Sequence, residues 1–249
     1  MQLAILTGAS RGLGLAIAQQ LLDPQRTLLT ISRHPDAELS ERAASANAPL
    51  EQWSLDVAAA EVVPRLEAWL RGQSAERFER AVLINNAAIV GRVGPVDQMD
   101  AAELAAVLRI DLEAPALLTA AFLRATRGWS AERRVLNVSS GAGRVAIAGW
   151  AAYCAAKAGL DQLSRVMALD EALQPNPARI VSLAPGVIDT DMQAEVRDSD
   201  ERTFPTLPRF KEFKATGQLL APGEAAARLL AFLERKDFGA MAVADVRTD

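Results

Sequence analysis

The sequence predicts an α/β fold: one doubly wound parallel sheet of about seven strands with helices on both faces. Three observations point to it. Short apolar runs of 5 to 6 residues alternate with longer amphipathic segments, and strand–helix alternation of that kind builds a parallel sheet covered on both sides. A glycine-rich segment lies where the first apolar run meets the first amphipathic one. No linker, repeat or low-complexity tract interrupts the 249 residues, so 1–249 reads as a single domain.

The elements follow in order. Residues 3–7, 27–32, 50–55, 81–85, 134–139 and 179–184 are apolar runs of strand rather than helix length. Residues 240–244 offer a seventh strand. Between them, Leu13, Ile17 and Leu21 recur every four residues on one helical face. Leu104, Val107, Leu108 and Leu112 form a second apolar stripe, and 153–173 is an Ala-rich helix. Residues 190–217 break the alternation, being mixed and charged, with Pro205 and Pro208. Insertions beyond the carboxyl ends of parallel strands line the ligand crevice, so this segment is expected to be a substrate-binding lid.

Composition narrows the function classes. Half the residues are hydrophobic and 23% are charged, enough for a sizeable core and unlike a disordered chain. The longest stretch free of Asp, Glu, Lys and Arg is 145–156, 12 residues, whereas a spanning helix needs about 20; no membrane association is expected. One cysteine, Cys154, excludes a disulfide framework within the chain and a Cys-cluster metal site, and one histidine, His34, argues against a Ser-His-Asp engine or a multi-His metal site. Asp189 and Asp191 lie two apart, and no metal is expected there. A net charge of −4 and a pI near 5.3 argue against a nucleic-acid partner. No charged-then-apolar leader follows Met1, so a cytoplasmic location is expected.

The first strand runs into Thr7-Gly8-Ala9-Ser10-Arg11-Gly12-Leu13-Gly14 and then a helix. Glycines there permit a tight turn and close approach of a pyrophosphate, to which the helix N-terminus offers free amides and a positive dipole end. The spacing is G-x-x-x-G-x-G, distinct from G-x-G-x-x-G and from the Walker pattern. The turn makes the predicted fold Rossmann-like and dinucleotide-binding. An acid at the end of the second strand would hold the ribose hydroxyls of NAD. Here the strand ends Ile31-Ser32-Arg33. Arg33 is a forked cation suited to a 2′-phosphate, and Arg11 adds a second, so NADP(H) is the expected cofactor.

Tyr153 is the sole tyrosine, and Lys157 follows it by four, on the same helical face. An ammonium beside a phenol favours the phenolate and lowers its pKa from about 10, which suits acid–base work. Ser140 stands 13 residues before Tyr153, at the end of a predicted strand.

With those residues in place the chain resembles the short-chain dehydrogenase/reductase family along essentially its whole length. The resemblance is carried by TGASRGLG at 7–14, Asp56-Val57, Asn85-Asn86-Ala87-Ala88, Asn137-Val138-Ser139-Ser140, the pair Tyr153 and Lys157, and Pro185-Gly186 with Thr190. It implies hydride transfer between a nicotinamide cofactor and a carbonyl. Tyr153 would be the proton donor, Lys157 would bind the nicotinamide ribose and tune Tyr153, and Ser140 would orient the carbonyl. Gly8, Ser10, Arg11, Gly12, Leu13 and Gly14 would cradle the pyrophosphate. Asp56 and Val57 would meet the adenine, Asn85 and Ala87 the adenosine ribose. Pro185, Gly186, Val187, Ile188 and Thr190 would hold the carboxamide end.

Two positions depart from the family pattern. Ala88 stands where Gly is usual, tolerable unless the backbone needs a positive φ. Asp111 stands where a catalytic Asn is usual; it retains acceptor capacity but brings negative charge near Lys157. The match narrows to the sepiapterin reductase and bacterial benzil reductase branch through Gly149-Trp150-Ala151-Ala152-Tyr153-Cys154, Asp189-Thr190-Asp191-Met192-Gln193 and the tail to Asp245. That implies an NADPH-dependent reductase of a vicinal dicarbonyl or a pterin side-chain ketone, with Trp150, Met192 and Gln193 around the substrate and Asp245 anchoring a pterin. The alternatives are an NAD(P)-dependent alcohol dehydrogenase of another substrate class and a cofactor-sensing binding protein without turnover. The resemblance also implies a homodimer through the helices containing 104–112 and 153–173. The expected partners are therefore a small-molecule carbonyl substrate and a second copy of the chain.

Overall fold

Seven parallel strands form one sheet in the computed structural model, which describes residues 1–248. They are β1 (Gln2–Thr7), β2 (Arg26–Ser32), β3 (Leu50–Ser54), β4 (Arg80–Asn85), β5 (Glu132–Val138), β6 (Arg179–Ala184) and β7 (Val243–Asp245). Their order is β3-β2-β1-β4-β5-β6-β7. The chain moves outward from β1 in one direction to β3, then returns to β4 on the other side. The order therefore reverses between β1 and β4, where a crevice opens beyond the carboxyl ends of the strands.

Both faces of the sheet are covered, which is why the strands read as nearly continuous apolar runs. Alternate residues of β1 serve opposite faces. Ala4 and Leu6 pack with Leu13 and Ile17 of α1 (Gly12–Leu21) and with Leu229 and Leu233 of α9 (Pro222–Glu234). Leu3 and Ile5 pack with Leu66 and Leu70 of α3 (Val62–Arg71) and with Leu118 and Phe122 of α5 (Ala114–Thr126). The helix α2 (Ala37–Ser45) begins at Asp36, whose carboxylate accepts from the Leu39 amide, a side-chain cap that satisfies one orphan donor.

The helix α4 (Ala101–Leu108) continues through one π-helical stretch, Arg109–Glu113, into α5. The extra residue of a π turn re-aims side chains and often marks a functional site. Here it buries Asp111 completely. The stripe at 104–112 packs within the chain, Val107 against Ala152 and Ala156 and Leu112 against Gly159, all three on α6 (Ala151–Ala172).

One expectation needs correction. The last strand was expected at 240–244 but occupies 243–245. Ala240 closes a turn on Asp237, and Gly239 takes φ +92°, so these residues are used in returning the chain from α9 to the sheet edge. Segment 190–217 is more regular than its composition suggests, containing α7 (Asp191–Arg197) and α8 (Leu207–Ala215). Among the described residues no helix is long and apolar enough to cross a membrane.

Candidate active site

The glycine turn is built by three neighbouring strands. Ser32 Oγ, at the end of β2, accepts from the Ala9 amide at 2.8 Å. Thr7 Oγ1, at the end of β1, accepts from the amides of Asn86 and Ala87, each at 3.0 Å. The Asn86 side chain donates to the carbonyls of Thr7 and Gly8, each at 3.1 Å. Gly8 adopts φ +72°, a region costly for a side-chain-bearing residue. A Cβ on Gly14 would lie 1.9 Å from the Gly8 carbonyl oxygen, so the turn closes only around a glycine. The first amides of α1 have no intrahelical partner and border a cavity of about 480 Å³. That cradle fits the pyrophosphate of a dinucleotide. Arg33 is exposed at the cavity wall, which half-buried Asp56 and buried Val57 also line. Arg11 reaches across the mouth to Asp191 on α7 at 3.3 Å.

The same cavity continues past Ala87, Ala88 and Ile89 to Ser140, Tyr153 and Lys157. Lys157 is almost wholly buried; its Nζ donates to the Val138 carbonyl at 3.1 Å and lies 3.2 Å from Asp111 Oδ2. Asp111 Oδ1 accepts from the Ile89 amide at 2.9 Å. Oδ2 has no aligned hydrogen-bond donor, so its contact with Lys157 is an ion pair. Burial raises the Asp111 pKa above the ordinary aspartate value, and Lys157 pulls the other way. For Lys157, burial disfavours the ammonium, but Asp111 first and then Tyr153 more than restore it, leaving the pKa above the ordinary lysine value. Tyr153 differs from expectation. Burial pushes its pKa up, Lys157 only partly offsets that, and Asp111 adds to the rise, while a Ser140 hydrogen bond opposes it. The phenol is thus held protonated.

Beyond Tyr153 the cavity becomes aromatic. Trp150 meets the Tyr153 ring edge-on with centroids 5.4 Å apart, and stacks on Phe204 at 5.4 Å. Phe210 and Phe213 of α8 extend the cluster, and both line the cavity with Met192, Gln193 and Val196 of α7. Asp189 holds this cover together, pairing with Lys214 of α8 and with Arg197 of α7 at 3.6 Å.

Most of the expected site residues therefore converge on one cavity. Gly8, Ser10, Arg11, Gly12, Leu13, Gly14, Arg33, Asp56, Val57 and Ala87 line one half. Ser140, Trp150, Tyr153, Lys157, Pro185, Gly186, Val187, Ile188, Thr190, Met192 and Gln193 line the other. Three do not reach the wall. Asp111 sits behind Lys157. Asn85 is buried beneath the strand ends, donating to Thr119 Oγ1 and Asn137 Oδ1 at 3.1 and 2.8 Å; its neighbour Asn86 is the one at the cavity. Asp245 gives both oxygens to Arg247, at 2.8 and 2.6 Å, and it is Arg247 that lines the cavity. The sequence reading missed Asn86, Arg247 and the phenylalanines of the cover. The spacing of Phe210 and Phe213, one helical turn apart, was the available signal. Ala88, standing for the usual Gly, has no positive φ.

A dinucleotide cradle at the strand switch point, joined to a buried Tyr–Lys pair and a serine, defines an oxidoreductase of the nicotinamide-dependent kind. The short chain dehydrogenase family model matches residues 2–201, and the chain belongs to that family. It is 37% identical over 242 residues to a benzil reductase ((S)-benzoin forming) of Bacillus cereus, covering 96% of each chain. It is 33% identical over 246 residues to sepiapterin reductase of Rattus norvegicus, covering 94% of this chain and 92% of the other. Among solved structures it resembles the KRED1-Pglu enzyme with a TM-score of 0.81 and 26% identity, over 98% of this chain and 100% of that one.

Proposed function

We propose that the protein is an NADPH-dependent carbonyl reductase acting on aryl vicinal dicarbonyl compounds. The observation that carries the reading is the single cavity that joins the glycine turn to Ser140, Tyr153 and Lys157 and then to an aromatic chamber. When bound, the cofactor supplies the hydride. Ser140 and Tyr153 receive the substrate carbonyl oxygen, and the protonated Tyr153 phenol donates to it. Lys157, anchored to Val138 and Asp111, sets the potential at the phenol. Trp150, Phe210 and Phe213 hold the substrate's apolar body and exclude water. The relatives named benzil reductase and sepiapterin reductase support the carbonyl-reductase reading. Asp245, tied to Arg247, does not support a pterin anchor. Oxidation of NADPH should be readily measured with benzil, slow with sepiapterin and slow with a simple monoketone. Turnover of sepiapterin alone would overturn the dicarbonyl assignment.

Support for NADPH comes from Arg33, which directly follows β2 where an acid would otherwise select NAD. NADPH should be preferred over NADH at least about tenfold in kcat/KM, a modest effect for a charge-assisted phosphate contact. Arg33→Ala should remove most of that preference while leaving NADH use nearly unchanged. Equal kcat/KM for the two cofactors in the unaltered enzyme would reject the assignment.

The enzyme is further proposed to act as a homodimer in the cytoplasm. Val166, Leu169 and Leu173 lie along one helical face at the end of α6 and are 46%, 70% and 83% exposed, with Leu117 of α5 46% exposed. Leu117 lies on the continuation of the helix that contains 104–112, so the proposed interface uses the two expected helices. Leu169→Asp should convert the dimer to a monomer at micromolar concentration in light scattering. A monomeric unaltered protein would contradict the proposal.

A further inference from the structure

The charged residues in the cavity wall are unbalanced. Arg11, Arg33, Lys157, Arg209 and Arg247 face Asp56 and Asp191, in a chain whose net charge is −4. Arg11 and Arg33 flank the phosphate cradle, and Lys157 is committed to Asp111 and Val138. Two cations remain in the other half. Arg209 lies over the Phe213 ring, 5.3 Å from its centroid. Arg247 packs its stem over Gly186, with Cδ 3.8 Å and Cγ 3.9 Å from where a Cβ on that glycine would stand.

Arg247 is held as a fork. Asp245 accepts from Nε and Nη2, which fixes one edge of the guanidinium. Asp245 is itself set from behind. Arg144 approaches it at 3.6 Å, donates to the Ala244 carbonyl at 2.7 Å, and donates from Nε to Asp161 Oδ2 at 3.2 Å. Asp161 accepts from Ser139 and Ser182, both at 2.6 Å. A chain of charged contacts thus runs from the strand ends beside Ser140 out to Arg247. A guanidinium has five N–H donors, and Asp245 engages two of them. Asp245 takes up neither N–H of Nη1, and the Arg247 side chain lines the cavity and is 53% exposed. A planar fork locked in this way recognises a carboxylate.

We propose that Arg247 is a specificity residue that binds a carboxylate next to the reacting carbonyl, so that the enzyme also reduces aryl 2-oxo acids. The inference rests on the reading of this cavity as a carbonyl-reducing site and names a further substrate class for it. The aryl group occupies the Trp150, Phe210 and Phe213 chamber, the keto oxygen lies at Tyr153 and Ser140, and the carboxylate lies on Arg247. The keto carbon gains the hydride from the reduced cofactor and its oxygen gains the phenolic proton, giving the 2-hydroxy acid. The carboxylate is unchanged.

The test compares phenylglyoxylate with 1-phenyl-1,2-propanedione, a neutral dicarbonyl of similar size, using NADPH and both the unaltered enzyme and Arg247→Met. The ratio of kcat/KM for acid over diketone should fall by roughly 10- to 100-fold in the variant, the range for losing a charge-assisted contact. Arg247→Lys, which keeps the charge without the fork, should fall in between. An unchanged ratio, or turnover of the diketone with none of the acid by the unaltered enzyme, would overturn the proposal. Calorimetry of phenylglyoxylate binding to the enzyme–NADP+ complex separates this inference from the parent reading. If neither compound is reduced, the carbonyl-reductase reading fails. Binding that Arg247→Met weakens tenfold or more would still uphold the carboxylate site, and absent or unaffected binding would reject it.

Discussion

Tyr153→Phe should lower kcat for dicarbonyl reduction by on the order of 10²-fold or more, because it removes the proposed general acid and leaves the ring. The ring packs edge-on against Trp150 and lies 5.6 Å from Lys157 Nζ, so the aromatic chamber and the lysine should keep their positions. Affinity for NADPH should change by less than about twofold, since the hydroxyl alone is lost. The electrostatics bear on the pH profile of the two directions. Burial, helped by Asp111, holds the Tyr153 pKa above its ordinary value. The protonated donor then persists through neutral pH, and the rate of reduction should stay level there and decline only on the alkaline side. The reverse oxidation needs the phenolate and should rise with pH over the same range. Near-normal turnover by Tyr153→Phe, measured at saturating NADPH, would remove Tyr153 from the role.

The fold was legible because its strands are buried on both faces. An apolar run such as 179–184 has no competing interpretation when it is too short for a helix and is followed by Pro185-Gly186. The glycine turn was legible for a steric reason: Gly8 and Gly14 must approach each other and the Asn86 amide, and few structures other than a phosphate cradle require that. What the sequence concealed depends on which neighbour a side chain chooses. Asp245 and Arg247 are two apart, and their spacing alone does not reveal that the arginine turns back to cap the aspartate. The helices within 190–217 were not legible because the segment's apolar residues are few and separated. Yet Phe204, Leu207 and Phe210 are buried against Trp150, which lies 54 to 60 residues earlier in the chain. Long-range packing, rather than local propensity, forms that cover. The pKa of Tyr153 was misjudged for the same reason. The lysine was visible four residues on, but the depth of burial and the position of Asp111 were not.

Asp111 carries the second large effect, and its two simplest substitutions should behave differently. Asp111→Leu leaves the Lys157 ammonium buried without its counter-charge and the Ile89 amide without its acceptor. Breaking a buried pair by removing one partner costs about 3–5 kcal/mol, so the variant should unfold at markedly lower denaturant concentration or fail to accumulate. The double variant Asp111→Leu with Lys157→Met removes both charges and should recover much of that loss. The cost in the single variant lies chiefly in the orphaned ion, and a double-mutant cycle measures it as a non-additive term. The pair's own pH dependence has the same origin. Lys157 is held above its ordinary pKa, so its contribution to stability is fully present below the ordinary lysine value and is lost as pH rises through the folded value. Asp111→Asn is the gentler change. It takes the counter-charge from Lys157 but keeps a polar oxygen at that position for the Ile89 amide or the ammonium, so it costs less stability than leucine; it also restores the residue usual in the family and removes the negative charge that raises the Tyr153 pKa. The phenol should then ionise at lower pH, and the alkaline limb of the reduction profile should move down while the enzyme stays folded. A limb that stays in place, in a variant with normal unfolding, would show that Asp111 supports Lys157 mechanically and does not set the potential at the proton donor.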